Sequence, residues 1–301
     1  IDSEDLPLNI SRESMQDSAL IKKLNRLITK RFIKFLERES TADNENYETF
    51  YNQFRNFIKE GVITDVDHRD SLANLLRFET SIEEPGNLSS LDQYVTRMKE
   101  GQDKIYFQIA QDRDSIESAP YLEAFKVRGL EVLFLYEAID EYLVGQLTSF
   151  SEKELVSIDR ADLELDDIET EGDSLDDESA SELCQWVKET LGERIAEVRA
   201  SKRLVDSPAA ALTPGGNMSP QMQQMMQQMN PDFSQSQSIK IEINPRHELI
   251  RKLQEVRQSR VDLAPMIAEQ IVDNALLSAG LLDESKNMVN RVYDIMLKSL
   301  D

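Results

Sequence analysis

The run KIYFQIAQDRDSIESAPYLEAFKVRGLEVLFLY, residues 104 to 136, decides how this chain folds. Lys104 to Ala110 and Glu131 to Tyr136 are apolar, β-rich and bounded by polar residues or glycine, which predicts buried strands. Between them Pro120 to Val127 has a helical pattern, ended by Gly129. Strand, helix, strand at that spacing predicts a parallel βαβ unit with a right-handed crossover. Downstream, Ala138 to Leu147 predicts a helix and Leu155 to Ile158 a short strand. Upstream, Leu20 to Leu36 predicts a helix with Ile21, Leu24, Ile28, Phe32 and Phe35 on one face. Asn46 to Lys59 predicts a second, whose stripe of Tyr47, Phe50, Tyr51, Phe54 and Phe57 reads as core and which Gly61 closes. Asp67 to Phe78 predicts a third, followed by a turn at residues 83 to 86 and a short helix from Ser90 to Lys99, ended by Gly101. This first part is therefore expected to be α/β.

Composition narrows the classes of function. A chain of 301 residues suits two domains, and 40% apolar with 30% charged residues suits a folded rather than a disordered chain. A net charge of −23 argues against nucleic acid and anionic membrane as partners. No apolar run approaches the length of a membrane span. One cysteine, Cys184, excludes an internal disulfide framework and suits a reducing compartment. His68 and His247 have no zinc spacing around them, and His247 reads as a hydrogen-bond partner at a helix start. No P-loop, dinucleotide fingerprint or Ser–His–Asp order occurs, so the chain alone holds no complete active site. It begins at Ile1 with neither initiator methionine nor signal segment, and reads as a fragment. The basic residues Lys22, Lys23, Arg26, Lys30, Arg31 and Lys34 read as solvated helix surface, with an acidic partner as the alternative.

Asp159 to Glu182 carries 12 acidic residues and one basic residue, Arg160, and is expected to be a linker. The division that follows is residues 1–158, a linker at 159–182, and a second domain at 183–301. In that domain Ser181 to Leu191 predicts a helix, and Ile195 to Ser201, Ala209 to Leu212 and Ile239 to Asn244 predict strands of a second sheet. A helix from Pro245 and His247 to Val256 comes next. The chain closes on two helices, Val261 to Ala279 and Glu284 to Leu300, joined at Gly280 to Asp283. Leu263, Ile267, Ile271 and Ala275 form one stripe of the first, and Met288, Val292, Ile295 and Met296 lie on the second. Their apolar surface is wider than one stripe, which predicts an α+β domain ending in a helical hairpin that closes as a four-helix bundle in a homodimer. A monomeric packing is the alternative.

Two stretches carry the candidate chemistry. In SEDLPLNISRESMQ, residues 3 to 16, Pro7 enforces an extended loop, and Ser14 with Asp17 reads as a helix start. Arg12 and Gln16 sit on or beside that loop, and two readings stay open: a surface arginine, or an anion-binding loop with a forked phosphate donor. In NMSPQMQQMMQQM, residues 217 to 229, Met218, Met222, Met225, Met226 and Met229 are five of the chain's ten methionines. A helix packed on its own domain and an adaptable partner-binding helix both fit them.

Taken with Phe50 to Gly61, Leu75 to Ser81, Leu91 to Gly101, Ile105 to Phe107, Glu131 to Glu141, Ser201 to Pro208 and Glu242 to His247, the loop resembles one family throughout. The chain is similar to the middle and C-terminal domains of the ninety-kilodalton heat-shock chaperones. That resemblance implies an ATP-dependent chaperone that assists protein folding. Arg12 takes the place of an arginine that reaches the γ-phosphate, and Gln16 that of its supporting glutamine. ATP with Mg is then held mainly by an N-terminal domain outside this chain, and no cofactor is expected within it. Met218, Met222, Met225 and Met226 take the apolar positions of a client-touching helix. Glu141 and Tyr142 match a second client patch, where bacterial members carry tryptophan instead of Tyr142. Leu155 to Ile158 and Leu91 to Gly101 look most like the mitochondrial paralogue, with the bacterial homologue as rival, which implies the mitochondrial matrix or else the bacterial cytoplasm. A dimeric scaffold that binds partner proteins without nucleotide is the alternative function.

Overall fold

The computed structural model describes residues 19–42, 44–160, 163, 165, 173–212, 239–282 and 285–300. In chain order its first part comprises α1 (Ala19–Ala42), α2 (Asn44–Thr64), α3 (Arg69–Ala73), β1 (Glu79–Thr80), α4 (Leu91–Arg97) and β2 (Lys104–Ile109). Then come α5 (Arg113–Glu117), α6 (Pro120–Arg128), β3 (Val132–Leu135), α7 (Asp140–Gln146), β4 (Ser149–Phe150) and β5 (Lys153–Ser157). The expected βαβ unit is present. β2 and β3 run parallel, with Tyr106 opposite Val132 and Ile109 opposite Leu135. α6 is the crossover, started by Pro120 and ended by Gly129 in the left-handed region at φ 59°. β5 joins β2 in parallel on the other side, and β1 and β4 are antiparallel edges, giving the order β1-β3-β2-β5-β4. All four residues of β3 are buried, as a strand covered on both faces requires. α4 starts with a capping box in which Ser90 and Gln93 satisfy each other's backbone N–H groups.

The helical entry departs from the expectation in four places. α2 does not stop at Gly61 but continues to Thr64. Gly61 serves close approach instead, since a Cβ there would lie 3.0 Å from Leu72 Cδ1. The third helix ends at Ala73, not Phe78: residues 74 and 75 form a turn, and Leu76 to Phe78 leave it to run through the core. The Tyr47 and Tyr51 hydroxyls donate to the Leu75 and Arg77 carbonyls at 2.6 and 3.0 Å, standing in for helix hydrogen bonds. The aromatic stripe of α2 is split: Tyr47 and Tyr51 are buried, while Phe54 and Phe57 are exposed. On α1 the buried residues are Ile33 and Leu36, and the expected face leaves Ile28, Phe32 and Phe35 exposed. α1 packs chiefly on α2, which leaves Leu27, Ile28, Phe32 and Phe35 exposed.

The second part comprises α8 (Asp177–Leu191), a 3₁₀ turn (Gly192–Arg194), β6 (Glu197–Ala200), β7 (Ala209–Leu212), β8 (Lys240–Ile243), α9 (Glu248–Val256), α10 (Ala264–Ser278) and α11 (Ser285–Leu300). Its sheet has the order β6-β8-β7, with β8 parallel to β6 and antiparallel to β7. The described residues thus form a mixed α/β structure with two mixed sheets. α8 begins inside the acidic stretch, where Asp176 accepts the Ser179 N–H at 2.8 Å. Leu163, also in that stretch, is buried. His247 caps α9 by accepting the Leu249 N–H at 3.0 Å, as expected of a helix-start residue. Cys184 is buried and unbonded, and burial pushes its thiol up to about 11.

Candidate functional site

α10 and α11 follow one another and pack together, yet they are built differently. α10 buries seven residues, among them Ile271, Val272, Asp273, Ala275 and Leu276. Leu263 is buried beside them and Ile267 is half-buried against the same core. α11 buries none of residues 286–300. Met288, Val292 and Ile295 are half-buried, while Val289, Tyr293, Met296, Leu297 and Leu300 are exposed. Spacings of four, three, one and three place these five on one face of the helix.

Charges hold α11 in place. Arg291 Nη1 lies 2.6 Å from Asp273 Oδ2, and its Nε lies 2.9 Å from Glu269 Oε2. Asp273 is itself buried and receives Arg194 on its other oxygen at 2.6 Å. At the far end Lys298 Nζ lies 2.9 Å from Asp262, and its hydrogen bond draws that carboxyl below the usual range. The helix is therefore fastened by ion pairs with its apolar stripe outward, which suits it to burying that stripe against another molecule.

Glu141 and Tyr142 lie in the first turn of α7; Tyr142 is exposed and Glu141 half-buried. The preceding residue fixes this turn. Lys59 of α2 is buried between Asp140 Oδ1 and Glu137 Oε2, both at 2.6 Å, and Arg55 reaches Glu137 Oε1 at 2.5 Å. Burial pushes the Asp140 carboxyl up, against the charge and hydrogen bond of Lys59. A small open pocket of about 20 Å³ adjoins the cluster, lined by Tyr51, Arg55, Phe78, Phe134 and Tyr136 among others. Sequence reading missed Lys59, Glu137 and Asp140. Lys59 and Glu137 are 78 positions apart, and no local pattern pairs them. Arg12, Gln16, Met218, Met222, Met225 and Met226 lie outside the described residues. Among the described residues no group of three His, Cys, Asp or Glu side chains is set to hold a metal ion.

Comparison with known proteins gives the class. The Hsp90 protein family model matches residues 1–301. The chain is 46% identical over 303 residues to the chaperone protein HtpG of Desulfitobacterium hafniense, covering 100% of this chain and 49% of that protein. It is 41% identical to HtpG of Desulfotalea psychrophila, over 98% of this chain and 49% of the relative. It is 37% identical over 313 residues to the mitochondrial heat shock protein 75 kDa of Bos taurus, over 100% of this chain and 44% of the relative. The chain belongs to the Hsp90 family. Its relatives carry both bacterial and mitochondrial names, and it spans about half the length of the curated relatives it matches.

Proposed function

We propose that this chain is the dimer-forming and client-handling part of an ATP-dependent molecular chaperone. The observation that carries the reading is the outward stripe of Val289, Tyr293, Met296, Leu297 and Leu300 on a helix with no buried residue from 286 to 300. Fully burying one such side chain contributes about 1.5–3 kcal/mol, so two copies of the stripe suffice for a stable homodimer. The exposed faces of α1 and α2 are assigned to contact with the part of the protein beyond this chain. Arg12, supported by Gln16, supplies a guanidinium to ATP held with Mg by that other part. Met218, Met222, Met225 and Met226, with Glu141 and Tyr142, are assigned to unfolded clients.

The test has two arms. Tyr293→Asp with Leu297→Asp should convert the dimer to a monomer by light scattering, with the far-ultraviolet spectrum unchanged. A double variant that stays dimeric places the interface elsewhere. In the full-length protein Arg12→Ala should collapse ATP turnover while nucleotide binding persists. Unchanged turnover would instead favour the nucleotide-independent scaffold.

A further inference from the structure

We infer that Arg203 is the side chain that ties the two sheets, with their helices, into one mechanical body, and that Glu123 is its second fastening. Arg203 lies between β6 and β7, in the second part of the chain, and its side chain is only 6% exposed. Within that part, Nε donates to Glu242 Oε2 at 2.9 Å. Glu242 sits on β8, the central strand, and also accepts from Ser201 Oγ at 2.8 Å and Arg199 Nη2 at 2.7 Å. Ser201 Oγ in turn accepts the N–H groups of Arg203 and Leu204 at 3.2 and 3.1 Å, so the loop that carries Arg203 is fixed to its own sheet.

The same guanidinium then crosses to the first part. Nη1 donates to the Arg160 carbonyl at 3.2 Å and the Ile158 carbonyl at 3.5 Å, just beyond β5. Its Cζ lies 5.6 Å from the ring centroid of Tyr121 on α6. Glu123, on the same helix, reaches back into the loop. It accepts the Asp206 and Ser207 N–H groups at 3.0 and 3.1 Å and the Ser207 hydroxyl at 2.5 Å. Around these contacts Leu204, Ala210 and Leu212 share one apolar cluster with Leu122, Phe125, Val156 and Ile158. The seam is thus a shared core with its polar hold concentrated in two side chains. Arg203 Nη2 and the Tyr121 hydroxyl, both buried in that seam, make no hydrogen bond among the described residues, so the hold rests on Nε and Nη1. Only a planar fork spans a carboxylate on one side and two carbonyls on the other; a lysine can serve one side or the other.

The experiment uses the full chain in a Cys184→Ala background, with spin labels at Lys126→Cys on α6 and Gln185→Cys on α8, both exposed. Interspin distances and calorimetric melting are recorded for the parent and for Arg203→Met, Arg203→Lys and Glu123→Ala. Arg203→Met should at least double the width of the distance distribution and split one endotherm into two. Arg203→Lys should broaden it less, and Glu123→Ala should broaden it while melting stays near the parent temperature. A single endotherm that moves down at unchanged width would mean a merely stabilising contact and overturns the inference. If Arg203→Met does not fold, Glu123→Ala decides, because its contacts lie only on the seam: parent width there overturns the inference as well.

Discussion

Glu242 and Asp140 are both carboxylates buried among cations, and they respond to burial in opposite ways. At Glu242 burial opposes ionisation, but the charge of Arg203 and hydrogen bonds from Arg203, Arg199 and Ser201 outweigh it and hold the carboxyl below its ordinary range. At Asp140 burial wins, and the carboxyl is pushed up despite Lys59. The difference is in the donors. Glu242 is met by two guanidinium groups and a hydroxyl, whereas Asp140 accepts one backbone N–H, from Glu137, and shares a single ammonium with that residue's carboxylate. A buried charge is stabilising only when its lone pairs are filled, so the first site fastens the structure and the second is a compromise. Their places in the molecule match: Glu242 anchors the loop at the seam, and Asp140 sits under the exposed turn that carries Tyr142.

The comparison predicts unequal losses. Glu242→Gln strands Arg203 and weakens Arg199, and should lower the unfolding free energy by about 3–5 kcal/mol. Asp140→Asn leaves Lys59 paired to Glu137 and relieves a strained charge, so its cost should be about 1 kcal/mol. Urea midpoints at one fixed protein concentration check both, with unchanged slopes as the sign that only stability moved. Equal costs at the two sites would break the comparison.

Much of this frame was legible beforehand, for local reasons. The βαβ unit announces itself through two apolar runs, Pro120 and Gly129, and the cap at His247 through its position before an amphipathic run. Each depends on neighbours a few residues apart. The misreadings came where a distant residue decides. Gly61 looks like a stop, yet Leu72 across the helix pair is what requires it. Residues 74 to 78 carry helical periodicity, but tyrosine hydroxyls from α2 take the carbonyls of Leu75 and Arg77. The expected hairpin stripes held residues of two kinds, because apolar spacing does not say which side the protomer covers: Leu263, Ile271 and Ala275 lie in its own core, while Met296 faces outward. The ionic clusters were invisible for the same reason, since Lys59–Glu137 and Arg203–Glu242 join elements 78 and 39 positions apart. As for the candidate site, sequence placed Tyr142 on a helix and the resemblance singled it out, but its exposure and the lysine beneath it needed the structure.

The smallest expected effect lies in the acid limb of stability, and it sharpens the contrast because the two sites carry opposite signs. Glu242 has a folded value below the ordinary 4.5, so the unfolded chain binds its proton first as pH falls. Its stabilisation is complete above 4.5 and drains away as pH drops through the depressed folded value. Asp140 has a folded value above the ordinary 3.8, so there the folded chain binds the proton first. Between its raised value and 3.8, falling pH makes the fold more stable at that site and partly offsets the loss at Glu242. Removing Glu242 by Gln should therefore flatten the decline of urea midpoint below pH 4.5, relative to the variant's own value at pH 7. Removing Asp140 by Asn should steepen the decline over the window just above 3.8. Parallel curves for both variants and the parent would mean that neither carboxyl is shifted by its neighbours, and that the count of donors is not what separates the two sites.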